Sequence, residues 1–153
     1  MADELPKTIA ELMTRKVITG RADEPIRDLR EGMERYRFRH LPIVEDGKLI
    51  GLVTRSDLLH ASSSWLSDRA DDRDALIGKQ PLGSIMQKEV LTMRAEDSLL
   101  DAARLMWEGR LGCIPIVDGE DKLVGIITAT DFLKLGVRCL GGELKEDDDE
   151  RKL

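Results

Sequence analysis

The sequence predicts a mixed α/β (α+β) fold built from two copies of one βαββα unit. Two alignments of one part of the chain with another support this duplication. AELMTRKVITGRADEPIRDL, which begins at Ala10, aligns without a gap with GSIMQKEVLTMRAEDSLLDA, which begins at Gly83. LPIVEDGKLIGLVTRSDLL, from Leu41, matches IPIVDGEDKLVGIITATDFL, from Ile114, with a single extra residue in the second turn. A lone copy could scarcely bury its apolar face, so we expect the two to pack together.

The first elements of each copy are an extended piece and an amphipathic helix. The extended piece covers 17–19, after which Asp23 is the predicted N-cap and Pro25 lies in the first helical turn. Apolar residues then recur at steps of three and four, as on one face of a helix. In the two copies they are Ile26, Leu29, Met33 and Tyr36, and Leu99, Ala102, Ala103 and Met106.

A β-hairpin follows the helix. Two apolar, β-branched runs flank Asp46-Gly47, a dipeptide typical of two-residue hairpin turns, and Asp118-Gly119 is expected to do the same in the second copy. Strands that are apolar on both faces are covered on both sides, so we expect helices over the sheet.

The second strand of each copy leads into a Thr-x-x-Asp motif. It reads Thr54-Arg55-Ser56-Asp57 in the first copy and recurs from Thr128 to Asp131. Helix capping alone explains a threonine followed three residues later by an acid. The duplication, each time behind a glycine and an apolar strand, also suits a ligand, because a helix N-terminus binds phosphate and a carboxylate accepts both hydroxyls of a ribose.

Composition narrows the classes of function. The net charge of −6 and the pI of about 5.0 oppose nonspecific attraction to nucleic acid. The sequence has no apolar run of the length of a signal peptide or membrane span, so a cytoplasmic protein is expected. Cys113 and Cys139 are too few for a disulfide framework or zinc site; we expect partly buried reduced thiols and no metal centre.

These motifs resemble the tandem cystathionine-beta-synthase (CBS) domain pair, or Bateman module, here as a stand-alone pair. The apolar-Pro strands LPIV and IPIV and the duplicated glycine, strand, Thr-x-x-Asp pattern carry the resemblance. The resemblance implies repeats at 9–61 and 82–140 about a pseudo-twofold axis, an N-terminal extension at 1–8, a linker at 62–81 and a disordered acidic tail at 141–153. It also implies a regulatory homodimer that binds AMP, ADP, ATP or S-adenosylmethionine in clefts between the repeats, and that acts on an unknown effector protein.

The family's site residues map onto matching positions of both copies. The resemblance implies that the aspartate holds ribose, that the motif's Ser/Thr lies near phosphates, and that the early strand and the apolar-Pro step surround the base. The first implied site comprises Ile18, Thr19, His40, Leu41, Pro42, Thr54 and Asp57, and Arg39 and Arg55 are further candidate nucleotide-binding residues that are not assigned to either site. The second comprises Leu91, Thr92, Cys113, Ile114, Pro115, Thr128, Thr130 and Asp131.

The stretch RYRFRHLP makes the two copies unequal. Arg39 and His40 precede the apolar-Pro step, where basic residues of this family often reach ligand phosphates, and the second copy has Gly112 and Cys113 there. We expect Arg39 and His40, with Arg55, to favour a phosphorylated nucleotide in one cleft. Phosphate contacts can cross the pseudo-twofold axis, so the sequence leaves open whether Asp57 or Asp131 shares the ligand with this charge.

Alternative interpretations of the same stretch are less favoured. Arg35 and Arg37 suit a solvated helix end that complements the helix dipole. Alternating basic and aromatic residues also suit single-stranded nucleic acid, but the acidic balance and the 3% aromatic content oppose it.

Two classes of function remain: a nucleotide sensor, and a structural or dimerisation module in which the Thr-x-x-Asp motifs are only caps. An enzyme is not expected, because no Ser-His-Asp or Cys-His arrangement, P-loop or Rossmann fingerprint is evident. Trp107 is either exposed for an interface or covered by the linker.

Overall fold

The computed structural model describes residues 4–63 and 76–145. Most of the predicted linker and the last residues of the predicted acidic tail lie outside these ranges. In chain order the elements are a 3₁₀ turn at Ile9–Glu11, α1 at Ile26–Tyr36, β1 at His40–Glu45, β2 at Lys48–Thr54, α2 at Arg55–Ser63, a 3₁₀ turn at Leu82–Ser84, α3 at Leu99–Gly109, β3 at Cys113–Val117, β4 at Leu123–Thr128 and α4 at Ala129–Cys139. No helix within the described ranges is long and apolar enough to cross a membrane.

The chain divides into two compact units that differ from the two sequence copies. The central unit is Ile18–Val90, and the outer unit joins the described residues up to Val17 to those from Leu91 onward. We call 9–17 and 82–90 the leading segments. Each leading segment therefore belongs to the unit that contains the hairpin of the other copy.

The central unit contains the β1/β2 hairpin. Its strands pair antiparallel, with Leu41 opposite Val53. Asp46 (φ 52°) and Gly47 (φ 79°) both adopt the left-handed conformation, which a two-residue I′ turn requires and which confirms the predicted turn. The piece predicted over 17–19 is not a strand: pairing there is a single parallel bridge, from Gly20 to Ile43.

The start of α1 differs from the prediction. Pro25, not Asp23, is the N-cap residue, and it makes no side-chain cap. The Ile26 amide instead donates to the Gln80 carbonyl at 2.9 Å, and the Asp23 carboxylate pairs with Arg21 at 2.7 Å. Tertiary pairing satisfies the amide that the predicted cap would have served.

The end of α1 also departs from the predicted apolar face. Ile26, Leu29 and Met33 are buried as predicted, but Tyr36 is 50% exposed. The Arg35 guanidinium lies 5.7 Å from the centre of the Tyr36 ring, in a cation–π contact.

The outer unit contains the β3/β4 hairpin, whose turn differs from that of β1/β2. Asp121 (φ 61°), not Gly119, adopts the left-handed conformation. The Asp118 carboxylate accepts hydrogen bonds from the amides of Glu120 (2.9 Å) and Lys122 (3.0 Å). The extra residue lengthens the turn, so Asp118-Gly119 is not the equivalent of Asp46-Gly47.

Each unit has its own apolar core, to which a leading segment contributes. In the central unit the buried set is Ile26, Leu29, Met33, Leu41, Ile43, Val53, Leu58 and Leu82. In the outer unit it is Ile9, Met13, Leu99, Ala102, Met106, Ile114, Ile116 and Ile127. Both cysteines are free; Cys113 is buried, whereas Cys139 is exposed and not partly buried as expected.

Candidate functional site

The Thr54–Asp57 motif forms a reciprocal cap at the start of α2. The Thr54 N–H (2.8 Å) and hydroxyl (3.0 Å) donate to Asp57 Oδ2, and the Asp57 N–H donates to Thr54 Oγ1 (3.2 Å). The Gln87 Nε2 adds bonds to Asp57 Oδ1 (3.1 Å) and Oδ2 (3.2 Å). The half-buried Asp57 thus joins the cap to the leading segment.

The Thr128–Asp131 motif repeats this cap in the outer unit. The Thr128 N–H (2.8 Å) and hydroxyl (3.1 Å) donate to Asp131 Oδ2, and the Thr14 hydroxyl lies 3.4 Å from Asp131 Oδ1. Thr14 and Gln87 hold equivalent positions in the sequence alignment. Asp131 is only 3% exposed, so it is far less accessible than Asp57.

A cleft of about 330 Å³ lies beside the first cap, in the central unit. Its lining combines two arginines, a histidine, two hydroxyls and one apolar side chain. These residues are Arg39, His40, Thr54, Arg55, Ser56 and Leu59. We call it the basic cleft; its volume falls in the range of small-molecule sites.

The charge of the basic cleft comes from its arginines. Burial, and then the charge of neighbouring Arg39, lower the pKa of His40 below its usual value near 6.5. The imidazole is therefore neutral at pH 7 in the chain without ligand, and it offers a hydrogen bond rather than a charge. Arg39 and Arg55 are exposed and supply the positive charge. An anion bound here would raise the pKa of His40 again.

The equivalent positions of the outer unit carry no such charge. Gly112 and Cys113 stand where the central unit has Arg39 and His40, and Ala129 stands where it has Arg55. Burial raises the pKa of the Cys113 thiol to about 12, so it remains protonated and uncharged.

The other predicted site residues are divided between core and surface. Leu41 and Pro42 are buried in the central unit, as are Ile114 and Pro115 in the outer unit. Ile18 and Thr92 are half-buried, whereas the side chains of the remaining three are exposed. Those three are Thr19, Leu91 and Thr130.

Sequence reasoning missed several polar contacts of the site. Ser56 and the apolar Leu59 line the basic cleft; helical spacing of four residues from Arg55 was a signal for Leu59 but not for Ser56. The contact of Gln87 with Asp57 had one sequence signal, the alignment of Gln87 with Thr14 between the two copies. Within the described ranges, no group of three His, Cys, Asp or Glu side chains could hold a metal ion.

Comparison with known proteins identifies the family to which the chain belongs. The family model named CBS domain matches residues 9–64 and 82–138. The chain belongs to the CBS domain family. Both matches include a Thr-x-x-Asp cap, and the first includes every residue that lines the basic cleft.

Several known proteins are similar to this chain. Protein MJ1225 of Methanocaldococcus jannaschii is 32% identical over 84% of this chain, which spans 46% of that protein's length. A Vibrio cholerae protein described as an acetoin utilization protein (AcuB) has a TM-score of 0.76 at 32% identity, covering 90% of this chain and 95% of that one. CBSX2, known from Arabidopsis thaliana, has been solved in complex with AMP; it gives a TM-score of 0.71 at 25% identity and covers 88% and 99% of the two chains.

Proposed function

We propose that this CBS chain is a regulatory module that binds an adenosine-containing nucleotide in the basic cleft. The observation that carries the proposal is the juxtaposition of Arg39, His40 and Arg55 with the Thr54–Asp57 cap. Arginine guanidinium groups suit phosphate oxygens, and the half-buried Asp57 carboxylate suits a ribose diol. The complex of the CBS-family protein CBSX2 with AMP supports an adenine nucleotide.

The two sites of the proposed module are unequal. Phosphorylated ligands, AMP, ADP or ATP, would occupy the basic cleft. The outer-unit site has no arginine at the equivalent positions, and its Asp131 is almost fully buried. It would stay empty or bind a less charged ligand such as S-adenosylmethionine.

The module would act by ligand-dependent change of conformation on an effector protein, and not as an enzyme. A ligand shifts such an equilibrium only as far as it prefers one arrangement, so binding and regulation are linked. A cytoplasmic location, no resident cofactor and a homodimer complete the proposal. Trp107 is 85% exposed on α3, as the interface interpretation of this residue requires.

Thermal unfolding with AMP, ADP, ATP and S-adenosylmethionine tests this function. Ligand at a hundred times its dissociation constant adds about 2.7 kcal/mol to the free energy of unfolding. We expect AMP, ADP or ATP to raise the melting temperature of the wild type and of Asp131→Ala, and not of Asp57→Ala.

An interaction module is the second candidate, because both aspartates take part in complete capping boxes. Helix capping by itself explains why a threonine is followed three residues later by an aspartate in both copies. This function predicts that both variants lose about 1 kcal/mol of stability and that no nucleotide changes any melting temperature.

A further inference from the structure

The Gln87 side chain donates hydrogen bonds to the Asp57 carboxylate, the group that would hold a ribose. An ionised carboxylate offers about four acceptor positions. Thr54 uses two of those on Asp57, and the Gln87 Nε2 makes one contact with each oxygen, at 3.1 and 3.2 Å. Oδ2 accepts three of these contacts and Oδ1 accepts one, so Asp57 keeps one acceptor position, on Oδ1, whereas the two hydroxyls of a ribose need two.

The orientation of the Gln87 amide follows from chemistry. A carboxylate only accepts hydrogen bonds, so the amide must present its NH₂ group, since its oxygen would be repelled. Of the two donors on Asp57, Thr54 belongs to the cap itself and is held by the helix start. The exposed Gln87 side chain is the one that can leave without uncapping α2.

The backbone around Gln87 is held firmly. Gln87 exchanges two backbone hydrogen bonds with Leu52, at 2.8 and 3.0 Å. Earlier in the same leading segment, Leu82 and Gly83 donate to the carbonyls of Glu24 (2.8 Å) and Ala22 (2.9 Å). Departure from Asp57 therefore requires only rotation of the Gln87 side chain.

We infer that Gln87 is a specificity-determining residue that competes with the ribose hydroxyls for Asp57. The inference rests on the proposed function of the basic cleft. Gln87 lowers the affinity for ribose-containing ligands, because such a ligand gains its contacts with Asp57 only by replacing the Gln87 amide. The 2′- and 3′-hydroxyls together replace the two contacts of Gln87, whereas a ligand without them cannot.

Calorimetric titration of wild type and Gln87→Met with AMP and with 2′,3′-dideoxy-AMP tests the inference. Methionine has nearly the same length and no donor. We expect Gln87→Met to bind AMP about fivefold more tightly than wild type does, or about 1 kcal/mol at about 1.4 kcal/mol per tenfold. Its affinity for 2′,3′-dideoxy-AMP should equal that of wild type.

Gln80→Met is the matched control, because Gln80 is an exposed glutamine two residues before the leading segment 82–90, and its recorded hydrogen bonds go through its backbone to Ile26 and Ile77. It should leave both affinities unchanged. Unchanged or weaker AMP binding by Gln87→Met, or an equal change for both ligands, would overturn the inference while leaving the proposed function in place. If wild type binds neither ligand, the nucleotide function itself is wrong.

Discussion

Gly51 on β2 lies so close to Met86 that a Cβ atom on the glycine would be 2.6 Å from the Met86 Sδ and 3.0 Å from the Gln87 carbonyl oxygen. The outer unit repeats the relationship, where a Cβ on Gly125 would be 2.8 Å from the Met13 Sδ. The glycine before each Thr-x-x-Asp motif thus admits a leading segment against its strand.

Gly51→Ala should therefore destabilise the protein. The methyl group would push the leading segment away from β2, and overpacking of this kind costs about 1–3 kcal/mol. Urea unfolding measures the loss. Gly136→Ala is the control: nothing lies within 4 Å of its Cβ on α4, so it should gain about 1 kcal/mol from helix propensity. Equal stability of the two variants would contradict the close approach.

Arg39→Ala should weaken triphosphate binding far more than adenosine binding. Hydrogen bonds to charged groups contribute about 1.5–3 kcal/mol, which corresponds to a loss of roughly 10- to 150-fold for ATP. Adenosine, with no phosphate, should bind as before. Titration of both ligands decides the matter, with Arg30→Ala on the exposed side of α1 as control. An equal loss for ATP and adenosine would argue against a phosphate role for Arg39.

His40 should make the stability of the chain fall in mild acid. Its folded-state pKa lies below the unfolded value near 6.5, because burial and Arg39 disfavour the imidazolium. The stabilising contribution is thus present above about pH 6.5 and lost as the pH falls through the folded pKa. Melting temperatures from pH 8 to pH 5 should drop more steeply for wild type than for His40→Gln. Parallel curves would show that His40 is not responsible.

Arg37→Gly should stabilise the protein. Arg37 ends α1 with φ 54° and ψ 29°, a left-handed conformation that glycine adopts without the steric penalty of a Cβ. We expect a gain of about 0.5–1 kcal/mol in urea unfolding, and a similar gain for Arg110→Gly, which ends α3 with φ 52°. Arg35→Gly, inside the last turn of α1, should instead lose about 1 kcal/mol. If Arg37→Gly, Arg110→Gly and Arg35→Gly all destabilise the protein, the left-handed conformation of Arg37 and Arg110 is not a source of strain.

Features specified by neighbouring residues could be predicted from the sequence. Asp46-Gly47 has the backbone freedom for an I′ turn, and Thr54 and Asp57 are three residues apart, as a capping box requires. The repeat and most of the buried positions of both helices follow from spacing alone, although Tyr36 of the predicted face is exposed. The concentration of charge at Arg39 was visible because the second copy has glycine there.

Features that depend on distant partners were not predictable in this way. The Ile26 amide is satisfied by Gln80, so Asp23 is not needed as a cap. Gln87 reaches Asp57 across 30 positions of sequence, and Thr14 reaches Asp131 across 117.

The sequence by itself determined the duplicated elements, the β1/β2 turn and the Thr-x-x-Asp helix caps. Each of these features is formed by interactions among residues a few positions apart. Only the tertiary structure decided that each leading segment belongs to the unit containing the other copy's hairpin, and hence which donors meet each aspartate. The reason is physical: long-range contacts depend on the path of the whole chain and on the packing of both cores, which no local pattern specifies.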